Sequence, residues 1–456
     1  MNPNEIAVDN SDYLDKEAGE PIAEAERELP EQSGEPISEK KAGHQKVEKA
    51  PEPPNAGLNA WLTVLAGFFI YINTWGLTAT YGAFQTFYQS DLLSSHSSST
   101  IAWIGSMQSF LVVIVGVISG PLFDIGYLRH LMVLGCFLVV FGMMMISLAN
   151  NYYQVFLAQG ICVGLGAGMI YVPAIALIST QFSTKRPIAI GLASSGSAIG
   201  GIIFPIMFRN LQPKIGFPWA IRSIAFINLG TCLMALLIFM RQPAQPPKKI
   251  RTLFDIKAFG DINFTLFSLS LFFIFLSFYV PLFYVPSYAV YKLGVDENLA
   301  FYLLAVINAG SFFGRTLPYL ISKYFGPMQT FAFWTFVGVI LLFSWIGIHS
   351  LPGFFVFCVI WGFLSGVLVT APPAAVAHPV LSPSLSVIGL RLGMSWLLAS
   401  VGVLCGSPIV GALVDIKTAS FLKAQCFAGA MMALGALCLV WPLVTILRYK
   451  APHGST

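Results

Sequence analysis

The chain carries twelve apolar runs, near residues 60–86, 101–122, 131–149, 153–178, 187–208, 221–240, 263–288, 299–322, 328–348, 351–377, 386–413 and 421–447. A helix needs about 20 apolar residues to cross the hydrocarbon of a bilayer. So many runs of that length leave one solvent for the folded chain, the membrane. They also leave one spanning structure, the helix, because it satisfies its backbone hydrogen bonds internally. The expected fold is an all-α membrane protein with twelve transmembrane helices in two six-helix bundles.

The placement of charge sharpens this reading. Of the 21 carboxylates, 14 lie in residues 1–57. That segment has few large apolar side chains and ends in Ala50-Pro51-Glu52-Pro53-Pro54. It cannot bury enough apolar surface to offset the entropy of ordering, so it is expected to be a disordered acidic cytoplasmic tail. No basic stretch leads into an apolar core there, so a signal peptide is not expected. The remaining seven acids, Asp91, Asp124, Asp255, Asp261, Asp296, Glu297 and Asp415, all fall at or between the ends of apolar runs. A soluble surface of this length would carry far more. The cation excess beyond the tail is therefore a topology signal, and no nucleic-acid partner is expected. All seven cysteines lie inside apolar runs without metal-ligand spacing and read as small core residues. No Walker loop and no hydrolytic or redox constellation appears. No cofactor, metal or enzymatic activity is expected, and His378 beside Pro379 is the one histidine considered as a titrating group.

The longest hydrophilic break, Arg241 to Asp261, contains Pro243, Pro246, Pro247, Lys248, Lys249, Arg251 and Lys257. Such a bridge between two sets of six runs reads as an inter-domain linker. The expected organisation is a tail at 1–57, a bundle at 58–240, a cytoplasmic linker at 241–261, a second bundle at 262–448 and a short cytoplasmic tail at 449–456. With the N-terminus inside, cytoplasmic loops carry Arg129, Lys185, Arg186, the linker cations, Lys323, Arg448 and Lys450. The other side carries Arg209, Lys214, Arg222, Lys292, Lys417 and Lys423. The linker decides the balance and places both termini in the cytoplasm, with the plasma membrane as the expected location. A weak internal repeat supports two similar halves. Gly116-x-x-x-Gly120 precedes a charged turn, as does Gly310-x-x-x-Gly314, and many secondary transporters are built from such repeats.

Several stretches then carry a family pattern. Asp124-x-Gly126-x-x-Arg129 resembles the loop motif of major facilitator transporters. Phe182 to Gly200, a short basic turn at Lys185-Arg186 leading into a helix with Gly191, Gly196 and Gly200 spaced for close packing, resembles the signature of the monocarboxylate porter family. Gly406-Ser407-Pro408-x-x-Gly411-x-Leu413-x-Asp415 resembles that family's eleventh helix and its exit. Asn73-Thr74-Trp75-Gly76, Tyr81 to Gln85, Gln154 to Gly160 and Gly389 to Gly393 resemble its fungal members. The resemblance runs from about Leu58 to Arg448. It implies the major facilitator fold and a central cavity lined in part by the first and seventh helices. It also has departures. The best-known animal members place a lysine in the first helix and an Asp four residues before the Arg of the eighth. Here the first run has no lysine, Ser311 stands four residues before Arg315, and Ser322 occupies a place where an acid is usual. The resemblance therefore does not extend to proton-coupled lactate-type transport by that Asp and Arg.

Arg315 lies in an otherwise apolar helix with Tyr302, Asn308 and Ser311 as polar neighbours. An arginine at depth is costly unless it faces a cavity or a partner; the competing reading is a stem that snorkels to the surface. No acid lies within the runs to neutralise it, which makes an anionic group on a solute a fitting counter-charge. Arg391, near the start of the eleventh run, is read in the same two ways. Asn73 and Tyr284 belong to runs rich in aromatic and polar groups and are expected to face the cavity, against an interfacial role. The expected solute-binding set is Arg315, Asn73, Tyr284, Asn308, Ser311 and Arg391. Asp124 and Arg129 are expected to gate, as a charged latch that releases when the halves rock, against a solvated pair worth little.

The leading functional reading is a secondary active transporter that moves an organic solute by alternating access. A monocarboxylate-like or other small organic anion is favoured by Arg315. Efflux of a larger, more apolar secondary metabolite is the alternative, favoured by the aromatic cavity and the missing acid and lysine. A non-transporting membrane sensor ranks lower, because the tail holds no folded interaction module. The partners are a small organic solute and the lipid bilayer, with a proton as a candidate co-transported ion.

Overall fold

The apolar runs become helices along their length. The computed structural model describes residues 57–182, 185–242, 255–321, 326–384, 387–415 and 418–449. The acidic tail, linker residues 243–254, Ser322, Lys323, Lys417 and Lys450 lie outside them. Among the described residues, eleven helices are long and apolar enough to cross a membrane. They are α1 (Leu58–Leu92), α2 (Ser98–Asp124), α3 (Leu128–Ile146), α4 (Tyr152–Gln181), α5 (Ile188–Met240), α6 (Ile262–Tyr291), α7 (Glu297–Leu317), α8 (Pro327–Gly347), α9 (Leu351–Val376), α10 (Ile388–Leu413) and α11 (Leu422–Arg448).

Helix α5 is exceptional. At 53 residues it would reach about 80 Å at 1.5 Å per residue, far beyond the roughly 45 Å of a whole bilayer. It breaks at Gly216, where φ is 78° and ψ is 163°. That backbone region is open to glycine, which has no Cβ to clash. Pro213 and Pro218 flank the break. The result is two arms that meet at a sharp corner. Run lengths predict the two arms, and the polar stretch Arg209-Asn210-Leu211-Gln212-Pro213-Lys214 marks the corner between them.

Helices α1 and α6 are the most buried of the eleven. The outer helices show the opposite pattern. Phe137 on α3, Ile340 on α8 and Leu437 on α11 are 58%, 71% and 63% exposed, which only a hydrocarbon solvent tolerates over so many positions. Within residues 58–240, α1 packs on α5, and α4 packs on both α2 and α3. Within residues 262–448, α6 packs on α10 and α11, and α9 on α7 and α8. The two sets meet chiefly at α2 against α10 and α5 against α7, with α1 touching α6.

Glycines set how closely these helices approach. A Cβ at Gly314 would lie 1.9 Å from the Phe363 carbonyl oxygen, and one at Gly366 would lie 2.4 Å from the Ser311 carbonyl oxygen. Only glycine therefore allows the α7 and α9 backbones to touch, and this contact fixes the helix that carries Ser311 and Arg315. In the expected repeat Gly116 on α2 corresponds to Gly310; it sits under the Tyr171 ring of α4, whereas Gly310 meets the Val359 carbonyl of α9. Gly196 packs on the Phe68 carbonyl and Gly200 on Gly76 of α1. Gly191 departs from expectation, since nothing lies within 4 Å of a Cβ built there. Five residues rotate the helix by about 140°, so Gly191 is off the face that Gly196 and Gly200 share.

Candidate functional site

A small cavity lies where the two sets of helices face each other. Its walls come from α1, α6, α7 and α9, with Trp75, Thr78, Tyr279, Asn308, Ser311 and Arg315 among the lining residues. Asn308, Ser311 and Arg315 follow i, i+3, i+7 spacing, so one face of α7 presents all three. Arg315 is the single charged side chain in the described lining. Its Nε donates to Ser311 Oγ at 3.4 Å, and its Nη1 donates across the interface to the Ser194 carbonyl at 3.3 Å. Asn308 Nδ2 likewise crosses to the Gly201 carbonyl at 3.1 Å. Both bonds tie α7 to α5. The cavity encloses about 30 Å³, space for a water or two and not for an organic solute. In this conformation the cavity is therefore closed to an organic solute.

Asn308, Ser311 and Arg315 are thus brought together as the sequence suggested. The other expected contacts sit elsewhere. Asn73 falls in a π-helical turn, Ile72–Gly76. Its Nδ2 donates to the Phe69 carbonyl at 2.7 Å and to Thr231 Oγ1 at 2.8 Å, which turns it toward the second arm of α5. Tyr284 is buried and donates to the Ser407 carbonyl at 3.2 Å, so it ties α6 to α10. Asp124 is half-buried at the end of α2 and Arg129 is exposed.

Arg391 stands apart from the cavity and is held by several groups. Its Nη1 lies 2.8 Å from Asp261 Oδ2 and also donates to the Leu381 carbonyl. Its guanidinium sits 4.8 Å from the Phe264 ring centroid, a favourable cation–π geometry. The clamp joins the starts of α6 and α10. Breaking a buried pair costs about 3–5 kcal/mol, discounted here because the Asp261 side chain is 29% exposed. Arg391→Ala is expected to lower stability by about 2 kcal/mol, read as a drop in the unfolding midpoint of purified protein. An unchanged midpoint would show that the clamp contributes nothing. His378 lies beyond α9 with its ring against Tyr449, and burial pushes its imidazole down from the ordinary value.

The sequence reading missed the contacts between the sets at the Arg209 end. Arg209, at the end of the first arm of α5, pairs with Glu297 of α7 at 2.9 Å, and its Nε donates to Asn298 Oδ1 at 2.9 Å. The Phe301 ring lies beneath it, 5.5 Å from the guanidinium. Nearby, Ser99 Oγ donates to the Pro408 carbonyl at 2.8 Å, tying α2 to α10. The only available signal was a cation ending one run and an acid opening another, which loop-charge counting treats as topology. Glu297 is half exposed, so the pair is worth about 1 kcal/mol. Arg209→Glu is expected to shift the balance about fivefold toward opening at this end. Adding Glu297→Arg should restore it, as read from a distance distribution across the Arg209 end. If the double reversal behaves like the single one, the pair is incidental.

Comparison with known proteins fits this architecture. The Major Facilitator Superfamily profile matches residues 63–383. The MFS-type transporter dbaD of Emericella nidulans is 39% identical over 361 residues, 79% of this chain and 80% of that protein. The Aspyridones efflux protein apdF of the same organism is 37% identical over 393 residues, 85% of this chain and 79% of that protein. An MFS-type transporter of Gibberella moniliformis is 35% identical over 398 residues, 87% of this chain and 93% of that protein. Helices of membrane-crossing length, a cavity shared between two helix sets and these matches lead to one conclusion. This chain belongs to the Major Facilitator Superfamily and is a multi-pass membrane transporter, not an enzyme.

Proposed function

We propose that this transporter exports an organic metabolite bearing an anionic group, across the plasma membrane, by alternating access. One observation carries the reading: a cavity between the two helix sets that combines aromatic walls with the guanidinium of Arg315. Aromatic rings cover an apolar body, and a planar guanidinium grips a carboxylate or comparable anion through paired hydrogen bonds. The efflux role in the name of the related apdF protein supports export of a secondary metabolite. Asn308 and Ser311 share the Arg315 face and are assigned to the solute with it. Asn73, Tyr284 and Arg391 are assigned to helix packing.

The break at Gly216 divides α5 into two passes, which with the other ten helices makes twelve. Residues 58–240 and 262–448 are then two six-helix bundles, joined by a cytoplasmic linker at 241–261, with both termini cytoplasmic. The linker cations support this orientation. The resemblance of Phe182 to Gly200 supports placement in the monocarboxylate porter branch. Asp124 and Arg129 are assigned to gating at the cytoplasmic end. Asp124→Asn or Arg129→Ala is expected to slow exchange several-fold while leaving solute affinity unchanged, as measured by equilibrium binding alongside exchange rates. Loss of affinity at unchanged rate would remove them from the gate.

A second reading, transport of a small monocarboxylate, draws on the same arginine. Counterflow in proteoliposomes separates the two, with protein-free liposomes as the baseline. Faster exchange of 4-phenylbutyrate than of lactate is expected. Exchange of lactate alone favours the small anion, and exchange of neither overturns the anion reading. Repeating the assay at imposed pH gradients tests proton coupling.

A further inference from the structure

Gln85 is fully buried on α1, and its amide forms no well-aligned hydrogen bond, its polar neighbour being the Tyr284 hydroxyl. The neighbouring Tyr284 hydroxyl donates to the Ser407 carbonyl. The Ser407 hydroxyl is itself buried and unpaired. A buried amide without well-aligned partners is unfavourable, and native interiors rarely tolerate one without a reason.

The position of Gln85 supplies a reason. Thr78, Gly82 and Gln85 follow i, i+4, i+7 spacing, so they form one stripe along α1. Thr78 lines the cavity. At Gly82 a Cβ would lie 2.2 Å from the Leu282 carbonyl oxygen of α6, so this is where α1 and α6 touch. Gln85 is the next residue on the stripe. It stands about 10 Å beyond Thr78 at 1.5 Å per residue, toward the end closed by Arg209 and Glu297. When that end opens, α1 and α6 part at Gly82, and the stripe becomes a continuous wall running from Arg315 to the exit.

We infer that Gln85 is a solute-contacting residue of the state open at the Arg209 end, where its amide hydrogen-bonds a carbonyl or hydroxyl oxygen on the departing solute. In the closed state the same amide meets a Tyr284 hydroxyl already committed to the Ser407 carbonyl, so a solute oxygen offers it a better partner on opening. This rests on the transport reading above. It adds a preference that Arg315 does not supply: for two solutes with the same anionic group, the one with a further oxygen on its apolar body moves faster.

Two measurements test it. The first is counterflow of 4-oxo-4-phenylbutyrate and 4-phenylbutyrate, which differ by one ketone oxygen. Wild-type protein is expected to exchange the keto acid about five- to tenfold faster, the worth of one hydrogen bond. Gln85→Leu should bring the ratio to about one while 4-phenylbutyrate still moves. A ratio that Gln85→Leu leaves unchanged overturns the proposal. The second needs no solute. Gln85→Cys is combined with Arg209→Glu and treated with a membrane-impermeant thiol reagent from the Arg209 side, and modification at residue 85 is read by mass. Modification is expected about fivefold faster in the combined variant than in Gln85→Cys alone. An unmodified residue 85 in both places it in a permanent core and overturns the proposal. If wild-type protein moves neither acid, the function reading has failed, and modification at residue 85 still decides whether Gln85 lines the exit.

Discussion

Arg315→Ala is expected to lower exchange of an anionic solute about 100-fold, while the protein still reaches the membrane and keeps its fold. Charge-assisted hydrogen bonds contribute about 1.5–3 kcal/mol each, and a guanidinium facing an anion makes two at once. In the closed conformation the group instead holds Ser311 and the Ser194 carbonyl. Those neutral acceptors are ones an anion can replace as the walls separate. Arg315→Lys keeps the charge and loses the planar fork, so it should retain about a tenth of the wild-type rate. The measurement is counterflow normalised to protein in the vesicles. Wild-type exchange in Arg315→Ala would reduce the residue to a stem that snorkels, and the apolar-metabolite exporter would become the better reading.

Gly82→Val is expected to have a comparable effect by a different route. The first added carbon would lie 2.2 Å from the Leu282 carbonyl oxygen, and the branched side chain cannot swing clear of a backbone atom. Overpacking of this kind costs about 1–3 kcal/mol, imposed here on one conformation only. The end near Arg209 should then fail to close, and the balance should shift up to about 100-fold toward opening there. Exchange should fall with it, because a carrier that cannot close one end cannot reset. Solute binding from that side should survive. A Gly82→Val protein that exchanges at the wild-type rate would show that α1 and α6 need not meet at this point.

The membrane solvent, the helical class and the shared face of Asn308, Ser311 and Arg315 were legible in the sequence, because each depends on local periodicity. Run length against bilayer thickness fixes the helices, and 3.6-residue spacing fixes which side chains on one helix share a wall. What crosses between helices was not legible. Arg391 reads as a buried charge in need of a ligand until Asp261, 130 residues away in the chain, is seen beside it. Asn73 and Tyr284 read as cavity groups until Thr231 and Ser407 prove to be their partners. Arg209 and Glu297 show the same gap in reverse, since two loop charges of no local interest become an ion pair between helix sets. Helix rotation and pairing, which no local pattern encodes, decide each of these.

The central claim is that the two ends open in alternation around the Arg315 cavity. Spin labels at Ser95 and Thr418 report on one end, and labels at Tyr127 and Ala377 on the other; all four positions are exposed. Distance distributions recorded with and without 4-phenylbutyrate are the most direct test. The account predicts two populations, in which the Ser95–Thr418 distance lengthens as the Tyr127–Ala377 distance shortens. Solute should change their proportions relative to the closed conformation without creating a state open at both ends. Distances that stay fixed, or that lengthen together at both ends, would contradict it.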